Sequence, residues 1–153
     1  MKRGTRNAER GTENKDQETH RLIRSTKGNM ATTDESRYLK PRTKQFALRA
    51  VRLVESLPKN LAAQVIGKQL LRSALSVGAN YRSAKRARSN AEFISKMGIV
   101  EEEADESRYW LEMLVDAGLI PKERLQPLIA ETNEITAMVV ASIRTARKHK
   151  NNL

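Results

Sequence analysis

Residues 60–84 read NLAAQVIGKQLLRSALSVGANYRSA, and the spacing of their small and apolar positions decides the fold. Ala62, Ile66, Gln69, Ser73, Val77, Asn80 and Ala84 recur in alternating steps of four and three. That is the heptad period which keeps one stripe of a helix against a neighbour. Asn60 offers a side-chain oxygen to the free N–H groups of the first turn. Gly67 and Gly78 each cost about 1 kcal/mol of helix propensity against alanine. Within so regular a seam they read as packing choices that, with Ala74 and Ala79, let a second helix come close. Ser73 and Asn80 read as buried polar residues that fix register.

The same period extends in both directions. Upstream, Thr43 is expected to cap a first helix carrying Ala47, Ala50, Val51 and Val54, and Pro58 ends it. Downstream, Ser89 followed by Glu92 forms a capping box. A third helix follows with Phe93, Met97, Val100, Ala104, Ser107, Leu111 and Leu114 as its seam. Gly118 suits the left-handed position after a helix, and Pro121 the start of the next. The fourth seam is Leu125, Leu128, Thr132, Ile135, Val139, Ser142 and Ala146. Pro127 predicts a short separate turn over 121–126 before the main helix. No segment alternates with the period of a strand. Short connections make successive helices antiparallel neighbours, so the expectation is an all-α, antiparallel up-and-down four-helix bundle over residues 36–148.

Composition narrows the function classes. The 153 residues suffice for one domain with a core. Lys and Arg number 29 against 18 Asp and Glu, a net charge of +11 that favours a polyanionic partner such as RNA or DNA. No cysteine is present, so disulfides, thiolate metal sites and thiol nucleophiles are excluded. Aromatic residues make up 4%, few for a protein that binds single strands by stacking. No apolar run approaches the ~20 residues of a membrane span. Met1–Thr12 lacks the apolar segment of a secretory signal, so a cytoplasmic location is expected. Residues 1–35 read as a disordered basic extension, with Met30 as an alternative start of translation, and 149–153 as a frayed tail. Residues 1–45 hold 12 basic and 6 acidic side chains and 46–153 hold 17 and 12, so the bundle is basic without its extension.

The run Gln69-Leu70-Leu71-Arg72-Ser73-Ala74-Leu75-Ser76-Val77-Gly78-Ala79-Asn80-Tyr81-Arg82 resembles the second helix of the bacterial four-helix-bundle proteins known as 23S rRNA intervening-sequence proteins. Residues 86–106, RARSNAEFISKMGIVEEEADE, are similar to the entry and body of their third helix. Arg42–Ala47 and Val140–Ala146 fit the family's first and last helices, so the likeness spans about residues 36–148. The resemblance implies a four-helix bundle assembling as a ring-like homo-oligomer, a homopentamer in characterised relatives. It is also related to the accessory proteins of diversity-generating retroelements, which bind nucleic acid and a reverse transcriptase, making both implied partners. Several relatives carry Glu-Gly where this chain has Arg82-Ser83.

Arg82, Lys85, Arg86 and Arg88 place four positive charges within seven residues. Arg82, Lys85, Arg86 and Ser89 recur at helical spacing and are expected on one face, as a phosphate-contacting patch. The competing reading is a charged bundle end paired with the acids of the third helix. Glu101, Glu102, Glu103, Asp105 and Glu106 crowd that helix. A di-iron centre would need Glu-x-x-His partners from facing helices, and the histidines are His20 and His149, so no metal or other cofactor is expected. The acids should instead face solvent or pair with Arg72, Arg82 or Arg86. Tyr109, Trp110 and Met113 lie off the third seam and are expected at a protomer–protomer contact, the alternative being additional core. Arg144 and His149 resemble the Arg-x4-His motif of HEPN-type ribonucleases, but this pair sits in a basic terminal run. The expectation is therefore a non-enzymatic, oligomeric nucleic-acid-binding bundle serving another enzyme. A protein-only scaffold is the alternative, and a ribonuclease using Arg144 and His149 a further one.

Overall fold

The computed structural model describes residues 38–151, which form four helices. These are α1 (38–55), α2 (Leu61–Ala84), α3 (Asn90–Asp116) and α4 (Lys122–Asn151). No strand occurs among the described residues. The basic extension over 1–35 and the alternative start at Met30 lie outside them.

Each boundary has a local cause. Asn60 caps α2, its Oδ1 accepting from the Ala63 N–H at 2.9 Å. Ser89 caps α3 by accepting from the Glu92 N–H at 3.1 Å. The return arm of this box reaches one residue further than expected, since the Glu92 carboxylate accepts from the Arg88 N–H at 2.7 Å. At the end of α3, Gly118 has φ +68, a left-handed conformation that glycine adopts without a Cβ clash. The Leu119 N–H donates to the Leu114 carbonyl and the Gly118 N–H to that of Val115, closing a Schellman motif.

Cross-helix pairs fix the topology. Gly67 packs against Val54, and Gly78 against Thr43. Ser73 meets Ser107, and Arg72 meets Glu106. Asn90 meets Ala146, and Arg108 meets Asn133. Arg42 meets Glu131, and Ser56 meets Arg124. In the α1–α2, α3–α4 and α1–α4 sets one number rises as the other falls, so these pairs are antiparallel; α2 then runs opposite to α3 as well, and α4 closes back on α1. Between them lies a core of Leu39, Phe46, Leu70, Tyr81, Met97, Leu111, Leu114, Leu125 and Ile135, all essentially buried. Each such side chain contributes about 1.5–3 kcal/mol by leaving water.

Three expectations are corrected. Thr43 does not cap α1; it is buried within the helix, its Oγ1 donating to the Lys40 carbonyl at 3.2 Å. Pro41 is the fourth described residue of α1, where a missing N–H removes little. Pro127 does not separate a turn from α4, which is continuous from Lys122. It lies in the second turn and is exposed, so the carbonyl of Glu123 that it leaves without an N–H donor lies on the outer surface. The seam of α2 is also rotated. Ala62 is exposed and Gln69 and Asn80 are half-buried, while Ala63, Leu70, Ala74 and Tyr81 are buried beside Ile66, Ser73, Val77 and Ala84. Flanked by α1 and α3, α2 buries a face broader than one heptad stripe, and the more apolar neighbours occupy it. Asn80 therefore bonds locally to the Ser76 carbonyl at 2.9 Å, whereas Ser73 does meet a partner helix, accepting from Ser107 Oγ at 2.9 Å.

The α3 seam is buried from Met97 to Leu114, with Phe93 packed at its margin. In α4, Leu125, Leu128, Thr132, Ile135, Val139 and Ala146 are buried, with Ile143 in place of Ser142.

Candidate nucleic-acid interface

No Asp or Glu occurs between Glu55 and Glu92, so α2 and the connections on both sides of it carry only positive charge. Arg82 stands exposed in the last turn of α2. Lys85 is the C-cap, its backbone N–H donating to the Tyr81 and Ser83 carbonyls. Arg86 and Arg88 follow in the connection to α3, exposed like Lys85. The four candidates thus lie together at one bundle end, but Arg82, Lys85, Arg86 and Ser89 do not share one helical face as expected. Helix α2 stops at Ala84 because Ser89 must turn away to cap α3, so Lys85–Arg88 belong to a tight turn.

Hydrogen bonds hold that turn in place. The Arg86 N–H donates to the Ser83 carbonyl at 3.1 Å, the Ala87 N–H to Ala84 at 3.0 Å, and the Arg88 N–H to Glu92. The Arg88 N–H, followed by Lys96 Nζ at 2.9 Å, holds the Glu92 carboxyl below its ordinary pKa. Glu92 is therefore committed to capping and to Lys96. Among the described residues the side chains of Arg82, Lys85, Arg86 and Arg88 form no ion pair.

Four other cations, Arg42, Arg72, Lys96 and Arg108, are ion-paired. Arg42 makes a two-pronged contact with Glu131, at 2.6 and 3.1 Å. Arg108 lies 3.5 Å from both Asp105 and Glu112. Arg72 binds Glu106 and lies 3.9 Å from Glu103. Of the pairings considered between α2 and the acids of α3, Arg72 makes them and Arg82 and Arg86 do not. Glu106 also accepts from Trp110 Nε1 at 3.0 Å, and this bond, then Arg72, lowers its pKa. Glu103 goes the other way: burial raises its pKa, and its Oε2 is buried without a hydrogen-bond partner. No group of three or more potential metal-ligating side chains occurs among the described residues.

The aromatic cluster divides. Trp110 and Met113 are half-buried and pack on the core, while Tyr109 is 51% exposed and meets the Trp110 ring edge-on at 4.9 Å. Sequence reasoning missed Leu61, Val65 and Leu75 on α2 and Ile99 on α3, all exposed. Their signal was available, since Leu61, Val65, Lys68, Arg72, Leu75 and Arg82 follow a second three-and-four period on the outer face. Arg144 and His149 are both exposed on the continuous α4, where a five-residue step turns them roughly 140° apart, so the helix does not bring them together. At the opposite bundle end, a groove of about 230 Å³ is lined by Arg49, Arg52, Arg124 and three leucines. No described helix is long and apolar enough to cross a membrane.

The model of the 23S rRNA-intervening sequence protein family matches residues 39–141. The chain belongs to this family. A crystal structure at 1.70 Å of a protein of unknown function from the S23 ribosomal protein family of Bacteroides thetaiotaomicron is 35% identical. It superposes with a TM-score of 0.66, covering 72% of this chain and 98% of that one. No curated protein matches. Membership of the intervening-sequence family accounts for the bundle and its four seams. The basic turn from Arg82 to Arg88 falls inside the matched region.

Proposed function

We propose that the protein is a non-enzymatic helical bundle that assembles with copies of itself and binds structured nucleic acid through its basic end, as an accessory to another enzyme. The observation that carries this reading is the end of α2 and the turn after it, where four cations with no ion pair among the described residues stand on a hydrogen-bonded framework. Phosphate groups would supply the missing anions, and counterion release would drive the association. Assembly is supported by the exposed apolar residues of α2 and α3, Tyr109 among them, with Trp110 and Met113 behind it. A ring of protomers would repeat the basic turn around one rim. The family's name makes a structured RNA the first probe to use.

The test is a fluorescence-anisotropy titration of the full chain with short RNA and DNA at several salt concentrations, with light scattering for mass. The expected result is binding by a multimer that weakens steeply as salt rises. Exposed Tyr109, Leu61 and Leu75 equally suit a protein-only scaffold. Absence of binding even at low salt would establish that alternative over the nucleic-acid reading.

A further inference from the structure

Resting on that reading, we infer that the last turns of α4 form the second half of the interface, and that the composite surface takes double-helical nucleic acid by its phosphates. Asn90 Nδ2, immediately after the basic turn, donates to the Ala146 carbonyl at 2.7 Å. Ala146 is buried at 7% exposure, so the end of α4 is packed against the bundle at this point. Within two residues on either side of Ala146 lie exposed side chains: Arg144, Arg147 and Lys148. They form no ion pair among the described residues, and no acid follows Glu134 in the sequence. Taken as sequence, this stretch looks like a basic tail; in the structure α4 continues to Asn151.

Magnitudes favour a phosphate site over simple helix stabilisation. The C-terminus of α2 and the N-terminus of α3 flank the basic turn, and their half charges of opposite sign roughly cancel. The helix dipoles therefore leave little to neutralise, against the seven cations at 82, 85, 86, 88, 144, 147 and 148. The excess is left for a partner.

The preference for a duplex follows from what the surface offers. Neither 82–92 nor 139–151 contains Phe, Tyr or Trp, and His149 is the one ring within them. Stacking, worth about 1–3 kcal/mol per base to a single-strand binder, is therefore limited in these segments to His149. Two cationic segments at one bundle end, either side of the start of α3, instead suit the denser phosphate array of a double helix.

The experiment uses the full chain with a short RNA duplex and with one of its strands alone, followed by anisotropy across salt. For R144A/R147A/K148A the expected result is a loss of roughly tenfold or more on the duplex, and a plot of log K against log salt flatter by about 2–3. The charge-keeping R144K/R147K should bind within about threefold of the parent, since each position still offers a phosphate a cation. Circular dichroism should show unchanged helicity for both variants. If the triple variant binds like the parent while R82A/K85A/R86A/R88A loses affinity, the role of α4 is overturned and the basic-turn reading stands. If neither variant changes binding, both fail. A single strand bound more tightly than the duplex would overturn the duplex assignment and point to an exposed ring such as Tyr38, 58% accessible at the start of α1.

Discussion

Arg72 and Arg82 stand on the same helix, both exposed, yet their surroundings differ in kind. Arg72 is answered across the α2–α3 groove by Glu106 and Glu103, and Glu106 is held in turn by Trp110. Arg82 and the turn beyond it face the N-terminal part of α3, where Glu92 is the sole acid before Glu101 and is occupied by the Arg88 N–H and Lys96. The middle of the groove is thus electrostatically closed within one chain, and the end is open. Charge alone does not mark a binding surface; charge left unanswered by the fold does.

Charge reversal breaks this comparison most severely. R82E/R86E should lower nucleic-acid affinity by at least about 100-fold at low salt, because contacts are lost and repulsion is added. Its thermal unfolding should remain within about 0.5 kcal/mol of the parent, as for surface sites without partners. Reversal at the closed position should behave oppositely. R72E sets a carboxylate against Glu103 and Glu106, so thermal denaturation should show a clear loss of Tm, while affinity of the folded protein changes by less than about threefold.

Smaller changes sharpen the contrast. Glu106→Ala leaves both Arg72 and Trp110 Nε1 without their acceptor and should cost about 1 kcal/mol in denaturant unfolding. Because the folded state lowers the pKa of Glu106, its contribution is present above the ordinary carboxylate range and lost as pH falls through the lowered value. Glu106→Gln should therefore flatten the acid side of the stability profile. Glu103 has the reverse sign. Its raised pKa means stability declines as pH rises through the carboxylate range, so Glu103→Gln should be neutral or stabilising near pH 7, by about 1 kcal/mol or less. A larger loss in the Glu103 variant would show that its weak contact with Arg72 outweighs its burial.

Most of the fold was legible because the seams of α3 and α4, two caps and one glycine agree. Met97–Leu114 and Leu125–Val139 follow their periods almost without exception, and Ser89, Asn60 and Gly118 act as their chemistry dictates. The errors arose where one local signal was allowed to outrank packing. Thr43 has the chemistry of a cap, yet Leu39 is completely buried a turn earlier and draws the helix back. Gln69 and Asn80 fit a heptad on paper, but Leu70 and Tyr81 offer more apolar area to the same interior. The identities of the basic-turn residues were readable, whereas their freedom from α3 was not. That depends on the register between two helices, which places Glu103 and Glu106 beside Arg72 and none of the acid-rich stretch beside Arg82. The packing of Asn90 on Ala146 joins positions far apart in the chain, and no local pattern announces it.

The most direct test of the account is the salt dependence of RNA affinity for the parent and for R82A/K85A/R86A/R88A, measured side by side. Four lost phosphate contacts should flatten the slope of log K against log salt by about 3–4, with weaker binding throughout the lower salt range. Parallel slopes and equal affinities would contradict the account, because the unanswered cations of the basic turn would then not be where the nucleic acid binds.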